Sequence, residues 1–149
     1  MEACTGYGES PPASLVGVGG GVMGLFDGTD FGYGTLLYRS RHSWKRIHAG
    51  ALAGFAGHSR YVAVNLVFDC DVGRRFRLTL SSGPGLYEHE DPAPNLGSPV
   101  EFLSTLELSW RVHRDQRLAL ALGHLSNAHL APYNPGTEVA TLVYLIPLH

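Results

Sequence analysis

Three residue types that could act together in nucleophilic acyl transfer lie near the C-terminal end of the chain. His124 and Ser126 stand two apart in Gly123-His124-Leu125-Ser126-Asn127-Ala128, and Glu138 closes Asn134-Pro135-Gly136-Thr137-Glu138. A serine hydroxyl is a weak nucleophile until a base takes its proton. An imidazole can be that base, and a carboxylate can fix the imidazole tautomer and stabilise the imidazolium. The oxyanion of the intermediate needs donors. Asn127, Asn134 and the backbone amides of the Pro135-Gly136 turn are candidates, and the sequence does not rank them.

His-x-Ser with a later Glu is a weak signal by itself, and an interfacial hydrogen-bond cluster fits the same residues. A metal site from His124, His129 and Glu138 is a further reading. It is disfavoured because His129 falls in a loop and no Cys/His spacing signature is present. No metal or other cofactor is expected. Gly19-x-Gly21-x-x-Gly24 formally matches a dinucleotide fingerprint, but that motif needs a helix to follow it. Here Leu25-Phe26-Asp27-Gly28 follows, which reads as a strand end and a turn.

The elements around these residues have a period of two. Phe102, Leu106, Leu108, Trp110 and Val112 share one face, and Glu101, Thr105, Glu107, Ser109 and Arg111 share the other. Residues 61–69, 75–81 and 117–126 alternate in the same way. Eight strands are predicted at roughly 14–26, 33–41, 46–57, 60–70, 75–87, 100–113, 116–127 and 137–148. Connections alternate between short turns and longer loops rich in Asp, Gly, Pro and Asn, with a tight link at 58–59 as the exception. Pro84 requires a strand end or a bulge within the fifth strand.

An even number of strands of about ten residues, with long loops at one end and short turns at the other, predicts an all-β, eight-stranded antiparallel transmembrane β-barrel. The whole chain, 1–149, forms a single domain in this reading. A barrel leaves no open edge in lipid. The Leu/Val/Phe register would face lipid. The charged register would face a lumen too narrow for a channel, with Arg77, Glu107 and Arg111 pairing inside. Trp44, Tyr61, Tyr87, Trp110 and Tyr144 near strand ends suit an interfacial girdle. Alternation has no sign, so a soluble lipocalin-like barrel with the opposite sidedness is the competing fold. His124 and Ser126 share parity with Leu118, Leu120 and Leu122, and Glu138 with Leu142, Tyr144 and Ile146. All three would therefore meet on the outer wall at the extracellular rim.

Composition agrees with this fold. The chain has 149 residues, 44% of them hydrophobic and only 16% charged, with nineteen glycines. A net charge of −2 gives no support to a nucleic-acid partner. No run has the length of a transmembrane helix. Met1-Glu2-Ala3-Cys4 lacks the basic and apolar regions of a signal peptide, and the barrel reading makes the chain a mature exported one. Cys4 and Cys70 both fall at the periplasmic end, where a bridge between them is permitted.

Gly123 to Ala128, then Asn134 to Glu138, then Leu142, Tyr144 and Pro147, together resemble the lipid A 3-O-deacylase family of Gram-negative outer membranes. The C-terminal quarter carries most of the resemblance, and the Phe-Asp and Tyr-Gly pairs near 26–34 add to it. The resemblance implies an eight-stranded outer-membrane barrel whose outward Ser126, His124 and Glu138 hydrolyse the 3-linked acyl ester of lipid A without a metal. The expected partners are lipopolysaccharide and outer-membrane lipid, and a homodimer is compatible with the reading. A non-enzymatic small barrel of the outer membrane and a soluble lipid-binding barrel are the alternatives.

Overall fold

The computed structural model describes residues 13–28, 30–44 and 46–149. Eight strands follow in chain order: β1 Ser14–Met23, β2 Phe31–Trp44, β3 Ile47–Ala56, β4 Ser59–Val72, β5 Phe76–His89, β6 Val100–His113, β7 Gln116–Ser126 and β8 Thr137–Leu148. Each pairs antiparallel with its neighbour, and β1 pairs with β8, so the sheet closes into a barrel. β1 ends earlier than the sequence predicts, because residues 25–28 turn. β2 runs further at both ends.

Exposure gives the alternation its sign. Val62, Val64 and Leu66 on β4 are 53%, 65% and 66% exposed, whereas Tyr61, Ala63, Asn65 and Val67 between them are buried. Leu80, Leu106, Leu108, Leu120, Leu122 and Leu142 continue this apolar outer wall over β5 to β8. In water such a continuous surface would be strongly unfavourable; in hydrocarbon it is the required solution. The soluble alternative with apolar residues inside is thereby overturned.

The lumen is divided along its axis. Toward the long loops it is filled by an apolar cluster that includes Met23, Tyr33, Tyr61, Tyr87, Leu103, Leu125 and Val139. Toward the short turns it is charged. Arg39 donates two hydrogen bonds to the Glu107 carboxylate, at 3.0 and 2.6 Å. Arg77 bridges Asp69 and Asp71, and Thr79 donates to Asp69 at 2.6 Å. Buried charges are tolerable only when paired in this way. Arg111, expected inside, is instead exposed near the β6–β7 turn, where a register shift between Arg111 and His113 disturbs the pairing. Two members of the expected aromatic girdle also differ. Tyr61 and Tyr87 follow the inward parity of their strands and are 4% exposed, while Trp44 faces out at 70%.

The glycines of β1 let the barrel close. A Cβ on Gly19 would sit 2.6 Å from the Leu142 carbonyl oxygen, and one on Gly21 would overlap the Ala140 carbonyl. They serve close strand approach, and the segment is a strand rather than a phosphate loop. Pro84 is accommodated without a bulge. Its pairing with Phe102 on β6 is kept, and the β4–β5 ladder resumes in the same register, Ala63–Gly85 after Leu66–Ser82. The expected Cys4–Cys70 bridge involves a residue outside those described; Cys70 is buried and is not a free thiol.

Candidate active site

Strand pairing brings His124 and Glu138 into contact and places Ser126 on the same face of β7, without a hydrogen bond to His124. Residue 124 of β7 stands directly opposite residue 138 of β8, so His124 and Glu138 are register partners. Both point outward, like Leu122 and Leu142 farther down the same strands. His124 Nδ1 and Glu138 Oε1 are 3.1 Å apart, which is hydrogen-bond distance. The histidine side chain is 53% exposed and the glutamate 32%. Ser126 is the second residue after His124 on β7 and lies on the same face, about 7 Å farther toward the rim.

The ring of His124 is held at its other edge by Gly136. A Cβ on that residue would lie 2.8 Å from His124 Cε1 and 3.2 Å from Nε2. Leu125 and Thr137 form the last register pair of this hairpin, and Ser126 and Gly136 are the next residues beyond it. With Nδ1 turned to Glu138, the edge carrying Nε2 thus faces the Gly136 side of the rim.

The start of β8 is fixed from two further directions. Gly24 N–H donates to the Glu138 carbonyl at 2.8 Å, and the Thr137 hydroxyl donates to Asp27 Oδ2 at 2.7 Å. The first long loop therefore supports the carboxylate that supports the histidine. Nothing in the spacing of Phe26-Asp27 pointed to this contact, because it joins residues more than one hundred positions apart in sequence.

The PagL family profile, described as lipid A 3-O-deacylase, matches residues 23–147. The chain belongs to the PagL family. It is an outer-membrane β-barrel hydrolase of lipid A, and its fold agrees with solved structures.

 That agreement is specific. A crystal structure titled "outer membrane enzyme PagL" superposes with a TM-score of 0.68 at 20% identity, covering 90% of this chain and 99% of that one. Neisserial surface protein A superposes with a TM-score of 0.67 at 6% identity, covering 91% and 96%. At such identities the two structures support the eight-stranded barrel, and the family match supports the activity. No curated protein matches the chain in sequence.

In this PagL family member the remaining candidates separate by parity. Asn127 follows Ser126 by one residue and so turns inward, where it is fully buried. Its Nδ2 donates to the carbonyls of Leu96 at 3.0 Å and Tyr133 at 2.8 Å, and its backbone N–H donates to Asn134 Oδ1 at 3.0 Å. Asn127 and Asn134 thereby tie the β5–β6 loop to the β7–β8 loop beside the site. Gly136 has φ +67° and borders the histidine. His129 is exposed, with φ +64°, in the loop after β7. Among the described residues no three His, Cys, Asp or Glu side chains gather as a metal site would need.

Below the rim an open groove of about 670 Å³ runs over the outer wall. Leu66, Phe68, Leu80, Leu106 and Leu122 line it, and His124 and Glu138 close one side. Ser82 and Ser104 also line it and were not singled out from the sequence. Their outward parity was readable, but their relation to His124 depends on the register of three strands.

Proposed function

We propose that Ser126, His124 and Glu138 form the triad with which this lipid A 3-O-deacylase cleaves its ester. Ser126 Oγ attacks the acyl carbonyl while His124 Nε2 takes its proton. Glu138, bonded to Nδ1, keeps the ring in the tautomer with Nε2 free and stabilises the imidazolium that forms. The imidazolium then gives its proton to the departing sugar oxygen. Water, deprotonated by the same nitrogen, releases the fatty acid from Ser126. Donors for the oxyanion come from the turn at Gly136 and from the side-chain amide of Asn134, whereas the Asn127 amide is already committed to two carbonyls.

The observation that carries this reading is the 3.1 Å contact between His124 and Glu138 on the lipid-facing wall, with Ser126 on the same face. A histidine hydrogen-bonded to a carboxylate has no structural use among leucines, whereas an ester buried in a bilayer can reach it by lateral diffusion. The groove beneath offers the acyl chain an apolar bed, so the chain need not leave a hydrophobic environment during reaction.

The test is mass analysis of lipid A incubated with purified protein. Ser126→Ala and His124→Ala should each lower release of the 3-linked fatty acid by at least about a thousandfold while the barrel still folds. Full activity in Ser126→Ala would remove the mechanism.

A further inference from the structure

A polar row crosses the apolar outer wall at the level of the histidine. Ser82 of β5 pairs in register with Ser104 of β6, Ser104 with His124 of β7, and His124 with Glu138 of β8. The row directly below it is Leu80, Leu106 and Leu122, which is wholly apolar. Ser82 Oγ and Ser104 Oγ are 2.9 Å apart, and both residues are exposed.

Two hydroxyls bring two donors, and their mutual hydrogen bond uses one. The second O–H has no partner among the described residues. An unpaired donor facing hydrocarbon is costly, and alanine at both positions would avoid that cost. The pair is therefore arranged to meet a polar group that enters the groove. Because the edge of His124 carrying Nε2 faces Gly136, Ser104 is poorly placed to be its nucleophile and well placed to touch what Ser126 attacks.

Geometry limits which polar group that is. Ser104 and Ser126 are diagonal neighbours across β6 and β7, about 7–8 Å apart at the backbone. An acyl carbon in attack position lies about 3–3.5 Å from the serine oxygen, and a hydrogen bond spans about 2.8 Å. The group that reaches Ser104 must therefore sit within the first few carbons of the chain.

We propose that Ser82 and Ser104 form a subsite for a hydroxyl near the carbonyl end of the departing acyl chain, and so make the enzyme prefer hydroxyacyl esters over plain acyl esters. This rests on the triad reading, because it takes Ser126 as the point of attack.

The experiment uses the purified barrel in detergent micelles and two esters of one glucosamine head group, carrying either a β-hydroxytetradecanoyl or a tetradecanoyl chain. The hydroxylated ester should have a kcat/KM about three- to tenfold higher. Ser104→Ala, Ser82→Ala and the double variant should bring that ratio toward one, and Ser104→Thr, which keeps a hydroxyl, should restore most of it. A wild-type ratio of one, a ratio unchanged in all three alanine variants, or an equal fall on both esters would overturn the subsite. Ser126→Ala assayed in parallel separates the two readings. Turnover of either ester by that variant removes the triad, whereas the ratio in the Ser82 and Ser104 variants reports on the subsite.

Discussion

Gly136 lies so close to His124 that any side chain there would press on the imidazole: a Cβ would stand 2.8 Å from Cε1. The same residue has φ +67°, a conformation that glycine adopts without a steric penalty. Both facts make the glycine a constraint on where the imidazole, the proposed base, can sit. Gly136→Ala should lower kcat by tenfold or more, because a small misplacement of a catalytic group is costly. It should cost only about 1–2 kcal/mol of stability from the left-handed backbone. Parallel measurement of kcat and thermal unfolding checks this. A variant with unchanged kcat would show that the ring can move without loss.

In the proposed triad Glu138 orients the base and is not itself the nucleophile, so its removal should be milder than removal of Ser126. Glu138→Ala should retain a residual rate, reduced about 10²- to 10⁴-fold. The loss should fall on kcat, with KM little changed, since the carboxylate acts on His124 and not on the lipid. Steady-state kinetics on one ester checks the split. A loss confined to KM would assign Glu138 to substrate binding instead.

The placement of the proposed triad on one outer face was legible in the sequence because it follows from parity. Residues 124, 126 and 138 share a register with leucines, and a single β7–β8 hairpin sets their separation. The fold was legible for the same reason, since a period of two marks several segments and turn residues divide the chain into eight. Alternation alone does not give its sidedness; strand length and the pattern of long loops and short turns pointed to a lipid-facing Leu/Val/Phe register, and the exposure of Val64 and Leu66 agrees. Asn127 shows a parity signal left unused: one residue after an outward serine, it had to turn inward. Tyr61 and Tyr87 show the same, since their strand neighbours Ala63 and Gly85 share their side of the sheet. The links from Asp27 to Thr137 and from Asn127 to Leu96 had no such signal, because loops carry no period and meet only after the barrel closes.

Asn127 offers two N–H donors to two carbonyls of different loops, and this gives its substitutions a defined order. Asn127→Ala leaves the Leu96 and Tyr133 carbonyls unpaired, at about 1–3 kcal/mol each where water cannot reach them. Asn127→Asp is nearly isosteric but presents acceptor oxygen to both carbonyls, so it should be the more destabilising of the two. Limited proteolysis of the loops at 90–99 and 127–136, with thermal unfolding, reads the order. An aspartate variant as stable as the native chain would show that the two loops are held by other contacts.

Arg39 and Glu107 cross the lumen to form a buried pair, with side chains 7% and 2% exposed. The attraction is offset by the cost of desolvating both ions, so the pair as a whole adds little net stability. Breaking it is another matter. Glu107→Ala leaves the Arg39 guanidinium without its carboxylate and should destabilise the barrel by about 3–5 kcal/mol. Replacing both partners with apolar residues, Arg39→Met with Glu107→Leu, should recover most of that loss. The double variant should also keep deacylase activity, because the pair lies inside the barrel and touches none of the outer-wall residues. Unfolding of the single and double variants in the same detergent decides the matter. A double variant no more stable than Glu107→Ala would mean that this lumen needs charge at these positions, through the neighbouring Asp69 and Arg77, rather than merely tolerating it.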